Sequence, residues 1–519
     1  MELREKIGQM VMTGFQGAEA TPELMHLIDE YKVANIILFS YNVVTTEQIT
    51  KECRKLHKHI KEATGHPAFI SVDQEGGVVT RLPREACNVP GAMLIGATGK
   101  EAYAYRAGYI TGTELKAAGI NMDLAPVLDV NNNPDNPVIG TRSYGSDAYL
   151  VERFGCNMME GLKDAGVMPT VKHFPGHGDT AVDSHLGLPV IDKNEDQLME
   201  LELIPFISAV KKGAPCVMTS HILFPKLESE PVPATMSKAI LTGLLRNKLD
   251  FHGIIITDCL EMGAIMNRYG TAKGAVEAVK AGAQLLCISH TPKLVMEAIE
   301  KIEEAVLSGE IPVRLIDEAV SNILKYKQQY RADLIGGPPA PSHREGFKQE
   351  IEDMLLAGIT KVTEEELPLL TKDCVFLGSY AYRSTLATSP VNKELHFAGY
   401  MAERMDCRYL DVPLNPNQVE IEHILDQLGD AAMVVYGLYN GHLNPGQQGL
   451  ANAINRSGRT VVAVTLRNPY DFARLEEGIH KLAVYEYNDT VFDVLIKVLN
   501  KDVIPGGKLP VQLTKDGRL

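Results

Sequence analysis

The sequence has no run of about 18 apolar residues, the length needed to cross a bilayer; its longest apolar stretches are strand-sized, such as Gly253 to Thr257. It also lacks a recognisable signal peptide. MELREKIGQMVMTGF mixes charges into its first six residues, places Gln9 inside a short apolar run and offers no small-residue cleavage site. A soluble, cytoplasmic protein is the expectation. No pair among the eight cysteines forms CxxC, and Cys216, Cys287 and Cys374 sit in apolar strand-like runs, which reads as reduced core residues and not as disulfides or zinc ligands. No Walker A sequence or GxGxxG opens a helix, so no nucleotide cofactor is expected, nor any other cofactor. Excess basic charge is missing too: 51 Lys and Arg against 66 Asp and Glu give −15, a field that repels nucleic-acid phosphates and anionic lipid headgroups.

What remains is an ordinary folded composition, 45% hydrophobic and 23% charged over 519 residues, enough for a barrel-sized unit and a second domain. Eight short apolar runs recur in the first two thirds of the chain: MVMTGF, NIILFS, AFISVD, NMDLAPVLD, VMPTVKHF, PCVMTS, GIIITD and QLLCIS. Continuous apolar strands indicate burial on both faces, as in a parallel sheet. The stretches between them, LVERFGCNMMEGLKDAG, AILTGLLRNKL and TAKGAVEAVKAGA among them, have helical period. Residues 1–330 therefore read as a (β/α)8 TIM-like barrel, with a doubly wound open sheet as the alternative. The Gly-, Pro- and Ser-rich segment 331–345, RADLIGGPPAPSHRE, reads as a linker. Residues 346–519 alternate further strand candidates (DCVFLGS, ELHFAGY, CRYLDVP, AAMVVYG, TVVAVTLRNP, LAVYEY, KLPVQL) with amphipathic helices. That pattern predicts a three-layer α/β/α sandwich.

In a barrel, reacting groups sit at the C-terminal ends of the strands. There the sequence is rich. AFISVD ends in Asp73, followed by Gln74, Glu75, the turn-forming pair Gly76–Gly77, and Arg81. VMPTVKHF delivers Lys172 and His173 and runs into PGHGDTAVDSH, where Pro175, Gly176 and Gly178 prevent a helix while His177, Asp179, Asp183 and His185 follow closely. PCVMTS is followed by His221, and GIIITD ends in Asp258. Each has a structural reading by itself, a helix cap or a loop hydrogen bond; the coincidence at four strand ends favours a site. Two chemistries fit. Histidines and carboxylates resemble a metal site, with His173, His177 and Asp179 as ligands of a barrel hydrolase, although Pro175 and Gly176 break the helical geometry that HxxxH requires. Alternatively Asp183 and His185 form an acid/base dyad opposite Asp258, the arrangement that displacement at an anomeric carbon requires.

The segment Lys172 to His185, KHFPGHGDTAVDSH, resembles glycoside hydrolase family 3 in its β-N-acetylglucosaminidase branch; SVDQEGGVVTRL, GTRSYG around Arg142 and ITDCLEM around Asp258 match in the same order. The tail resembles the family's C-terminal domain in VVAVTLRNPYDF and GGKLPVQL. The resemblance implies Asp258 as nucleophile, His185 as proton donor and acceptor with Asp183 as its partner, and a sugar subsite of Asp73, Arg81, Arg142, Lys172 and His173, with no metal. It implies a retaining exo-β-N-acetylglucosaminidase acting on small carbohydrates, fragments of muropeptides or chitooligosaccharides. A phosphorylase releasing a sugar 1-phosphate is the alternative, since a neutral imidazole repels an incoming phosphate less than a carboxylate does. A non-catalytic carbohydrate-binding protein is a further reading. The pattern departs from the branch at Cys259, where a second acidic residue is common, and at Gln284, where an Asp is common; these put substrate tuning in question.

Overall fold

The computed structural model describes residues 1–181, 183, 187–330, 341–383 and 385–513. All eight apolar runs of the first part contain strands: β1 (Val11–Thr13), β2 (Asn35–Leu38), β3 (Phe69–Val72), β4 (Met122–Asp123), β5 (Met168–Pro169) with β6 (Val171–Phe174), β7 (Cys216–Thr219), β8 (Ile254–Ile256) and β9 (Leu286–Cys287). Six of them form a parallel sheet in the order β5-β4-β3-β2-β1-β9, the half-barrel of a TIM-like unit. A second parallel sheet has the order β6-β7-β8. Single parallel bridges at Val127↔Lys172 and Ile256↔Leu285 lie between the two. Every residue of β2, β3 and β7 is buried, the two-sided burial that their unbroken apolar runs require.

The helices between strands are bounded by local chemistry. Thr45 accepts the Gln48 amide at the start of helix Thr46–Thr64, and Gly65 closes it in the left-handed conformation with φ +75°. Helices Glu101–Ala118 and Ala148–Asp164, placed beside β4 and β5, meet at Gly108 and Gly161. A Cβ on Gly108 would lie 2.2 Å from the Met158 carbonyl oxygen, so only glycine permits this approach.

Residues 331–340 of the expected linker lie outside the described residues, and helix Pro341–Gly358 follows. A second six-stranded sheet comes after it: β10 (Thr360–Lys361), β11 (Val375–Gly378), β12 (Arg408–Asp411), β13 (Met433–Leu438), β14 (Thr460–Thr465) and β15 (His480–Ala483), in the order β10-β15-β14-β13-β11-β12. All pairs are parallel except the antiparallel edge β10–β15. Two strand expectations fail here. ELHFAGY runs into helix Phe397–Met405, because the His396 ring accepts the Gly399 amide as an N-cap and the buried residues Phe397, Ala398, Met401 and Ala402 share one helical face. KLPVQL pairs with no strand. Its backbone bonds to the first unit instead, Lys508 N–H to the Ala97 carbonyl at 2.8 Å and Ser146 N–H to the Pro510 carbonyl at 3.0 Å.

One buried apolar cluster joins residues of the first unit, including Met93, Leu94, Phe154 and Leu162, to the second sheet and its helices. Polar contacts reinforce it. Arg106 grips Glu350 through two bonds of 2.7 and 2.9 Å, and Arg344 meets the buried Glu114 at 3.0 Å. The buried Glu486 accepts from the Gly91 N–H of the first unit and from the Asn488 amide. Burial pushes the Glu486 carboxyl up from 4.5 to about 7 against those two hydrogen bonds. A carboxyl whose folded pKa is raised contributes stability that is complete below about 4.5 and lost as pH rises through about 7. Glu486→Gln is therefore expected to be the more stable protein above pH 7, by up to about 3 kcal/mol. Melting temperatures of both proteins between pH 5 and 8.5 check this; parallel curves would contradict it.

Candidate active site

The buried strand β3 ends at Val72, so the next residues emerge at the mouth. Asp73 comes first, one-fifth exposed, and the chain then turns through Gly76 and Gly77 at φ +88° and +54°. The turn packs so closely that a Cβ on Gly76 would sit 2.6 Å from the Pro90 oxygen. It directs Glu75 inward. Lys172, on β6 and 2% exposed, donates to Asp73 Oδ1 at 2.7 Å and meets Glu75 Oε1 at 2.6 Å. Arg142 closes its fork on the same carboxylate, Nε to Oε2 and Nη2 to Oε1, both at 2.8 Å. Two cations and two carboxylates thus balance in a nearly dry pocket. Burial opposes ionisation of Glu75, but Arg142 and Lys172 outweigh it and hold the carboxyl well below the ordinary range. Burial likewise opposes the charge on Lys172, and Asp73 and Glu75 overcome it, raising the ammonium.

A second group forms around Asp129, fully buried beyond β4. Its Oδ2 meets His173 Nδ1 at 2.6 Å, and its Oδ1 accepts the His173 and His177 amides at 3.2 and 2.7 Å. Burial alone would raise the Asp129 carboxyl; His173 reverses that, and the net shift is downward. With Nδ1 committed, Nε2 is the His173 nitrogen left to meet a ligand. The His177 ring packs edge-on to His173 with centroids 5.6 Å apart, and burial together with His173 depresses it to about 4. The groups considered for a metal are engaged with the protein: His177 Nδ1 with Thr180 at 2.9 Å and Asp179 with Lys193 at 2.7 Å. Among the described residues no set of three His, Cys, Asp or Glu side chains is placed to hold an ion.

Asp258 lies two residues beyond β8, half-buried, with its Oδ1 accepting the Cys259 amide at 2.7 Å. His221 donates from Nε2 to the Cys259 carbonyl at 2.9 Å and bonds Thr235 through Nδ1, which ties the strand ends of β7 and β8 together. His221 is therefore a scaffold for the backbone that carries Asp258. His185 lies outside the described residues. Asp183 is buried, and its Oδ2 accepts a 2.9 Å hydrogen bond from Thr385 Oγ1 of the second unit. Arg81 turns to the same segment, Nη1 to Ser389 Oγ at 2.7 Å and Nη2 to the Ala387 carbonyl at 2.8 Å, while Ser389 N–H bonds the Val78 carbonyl at 2.9 Å. Residues 385–389 thus bridge the Asp183 loop and the Gly76–Gly77 turn.

The family model for the Glycosyl hydrolase family 3 N terminal domain matches residues 2–326. The chain belongs to glycosyl hydrolase family 3. A solved structure described as a glycoside hydrolase family 3 β-N-acetylglucosaminidase from Paenibacillus sp. is 38% identical, with 99% of each chain covered and a TM-score of 0.92. "Beta-hexosaminidase A" of Pseudoalteromonas piscicida is 36% identical over 377 residues, 67% of this chain and 62% of that relative, so the match leaves more than a third of the relative unaccounted for. "Beta-hexosaminidase LpqI" of Mycobacterium tuberculosis is 31% identical over 339 residues, 62% of this chain and 82% of that protein.

Within this family 3 chain the sequence reasoning missed Asp129, Asp123 and the role of Glu75. Asp129 and Asp123 both lie in the run NMDLAPVLD, read there only as a strand; a carboxylate inside an apolar run was the available signal. Asp123 is fully buried, bonded through Oδ1 to the Gln74 amide at 3.0 Å, and burial pushes its carboxyl well above the usual range. The departure at Gln284 moves away from substrate tuning. Its Oε1 accepts from Arg246 and Asn322 at 2.7 and 3.0 Å just before β9 begins, the end of the strand opposite the mouth.

Proposed function

We propose that this protein is a retaining exo-β-N-acetylglucosaminidase that removes terminal β-linked N-acetylglucosamine from small glycans such as muropeptide or chitooligosaccharide fragments. The observation that carries the reading is the 38% identity over 99% of both chains to the Paenibacillus enzyme, together with charged residues gathered beyond β3, β6 and β8. In this reading residues 1–330 form a (β/α)8 barrel, the two parallel arcs closing where the bridges at Val127↔Lys172 and Ile256↔Leu285 lie. The segment read as a linker, 331–345, has its last five residues in helix Pro341–Gly358 and leads to a three-layer α/β/α sandwich over 346–519.

The Asp258 carboxylate attacks C1 of the bound sugar as His185 protonates the departing glycosidic oxygen, giving a glycosyl-aspartate. His185 then takes a proton from water, whose oxygen attacks C1 and releases Asp258. Asp183 orients the imidazole and stabilises its protonated form. Asp73 and Lys172 accept from and donate to sugar hydroxyls, while Arg81, Arg142 and His173 line the same subsite. Because Arg142 has its fork on Glu75, its contribution is mainly to hold Glu75 and through it Lys172.

Incubation with a β-linked N-acetylglucosaminide, with and without phosphate, tests this reading. Free N-acetylglucosamine in both mixtures is expected; N-acetylglucosamine 1-phosphate in the phosphate mixture would make it a phosphorylase, and no release would reject both. Thr385 supplies a further prediction, as a positioning residue acting through Asp183. Thr385→Val keeps the side-chain shape and removes one donor to a buried carboxylate, worth about 1.5–3 kcal/mol. It is expected to lower kcat at least tenfold with a smaller change in KM, and Thr385→Ser is expected to restore it. Equal kcat in the wild type and the valine variant contradicts the role.

A further inference from the structure

A cavity of about 890 Å³ lies between the two units, and Asp73, Lys172 and Asp258 are not among the residues that line it. Its walls carry several charges, and most of them are matched. Arg84 pairs with Asp489 and Lys497 with Glu352 at the rim, and Glu486 has its two hydrogen bonds. Arg467, just beyond β14, is different. It is 5% exposed and lines the cavity, yet among the described residues no carboxylate pairs with it. Nη1 reaches the Tyr439 hydroxyl at a long 3.3 Å, and Nε has no partner among the described residues.

A guanidinium carries five N–H donors, and taking one out of water without a counter-charge costs more than a single weak hydrogen bond returns. The deficit is removed by an anion from solution. Planar forked donors suit two oxygens of a carboxylate or phosphoryl group, and Tyr439, Tyr487 and Leu466 offer apolar and aromatic surface beside them. The volume is in the range of small-molecule sites, about 300–1,000 Å³. We propose that this cavity is an oxyanion-binding site in which Arg467 receives the phosphoryl or carboxylate group of a small organic molecule. Asp73, Lys172 and Asp258 lie outside this cavity, whose wall meets the sugar subsite only through Ser389, the partner of Arg81, and the proposal does not depend on the activity assigned above.

The test uses the full-length protein at constant ionic strength, with saturating N-acetylglucosamine to occupy the sugar subsite. Inorganic phosphate and acetate are titrated in place of chloride, by calorimetry and by thermal melting. Saturable binding of at least one is expected: phosphate alone identifies a phosphoryl ligand, acetate alone a carboxylate. Arg467→Met is expected to weaken that binding at least tenfold, and to melt in chloride no lower than the wild type, because the change removes an unmatched buried charge. Arg467→Lys keeps the charge without the fork and is expected to lose at least fivefold. Absence of saturable binding in the wild type overturns the proposal. So does unchanged affinity in either variant.

Discussion

Asp258→Ala is expected to lower kcat/KM for a β-linked N-acetylglucosaminide by about 10⁴-fold or more, while the protein folds and melts as the wild type does. The expectation rests on position and chemistry together. Three fully buried isoleucines, Ile254 to Ile256, fix the backbone that presents Asp258, and the Cys259 amide holds one of its oxygens at 2.7 Å. Alanine keeps that backbone and deletes the atom that bonds to C1, so both halves of the double displacement are lost. A slow fluorinated glycosyl donor sharpens the test. In the wild type a covalent adduct is expected on the peptide containing Asp258, and an adduct on another carboxylate would remove Asp258 from its role.

The second large effect concerns stability as well as rate. Glu75→Gln removes the carboxylate that Arg142 and Lys172 share, leaving two cations buried at 4% and 2% side-chain exposure with Asp73 as the remaining charged partner in the cluster. Breaking a buried ion pair on one side costs about 3–5 kcal/mol, which corresponds to a fall in melting temperature of roughly 10 °C in a unit of this size. The sign of the pH dependence follows from the depressed Glu75 carboxyl. Its stabilisation is complete above the unfolded value of about 4.5 and is lost as pH falls towards the folded value, so the two melting curves are farthest apart at neutral pH and converge in acid. Turnover is expected to fall about 100-fold, because Lys172 loses one of its two anchors and leaves its working geometry. Equal melting temperatures at pH 7 would show that the Glu75 carboxylate does not carry this stability.

How far the sequence carried differs between the two halves. In the first, eight apolar runs became strands because a parallel sheet buried on both faces demands unbroken apolar sequence, and the helical stretches alternating with them fixed the reading. In the second, CRYLDVP became the largely exposed edge strand β12 as expected, while the edge strand β10, only two residues long, offered no run to read. ELHFAGY became a helix because a short apolar run is compatible with either period, and the choice fell to the His396 cap and to the packing of Phe397 against Phe376 and Phe492.

The candidate site divides in the same way. Asp73 and Asp258 were nameable as candidates because they follow the buried strands β3 and β8, and Lys172 and His173 because charged and polar side chains interrupt the otherwise apolar run that forms β6. Asp129 and Glu75 were not, since their partners stand 44 residues away in His173 and 67 residues away in Arg142. No local pattern records a pairing at that distance. The contacts of Thr385 with Asp183 and of Arg81 with Ser389 reach farther still, across 202 and 308 residues. The amino-acid sequence by itself determined the eight strand-bearing runs of the first unit and the family, and it singled out candidate residues for a glycosidic bond, because hydrophobic period and local motifs are properties of neighbouring residues. Tertiary structure alone decided which buried charges balance one another, which segment of the second unit braces the mouth, and that Arg467 has no counter-ion among the described residues, because charge compensation is settled in space after the chain has folded.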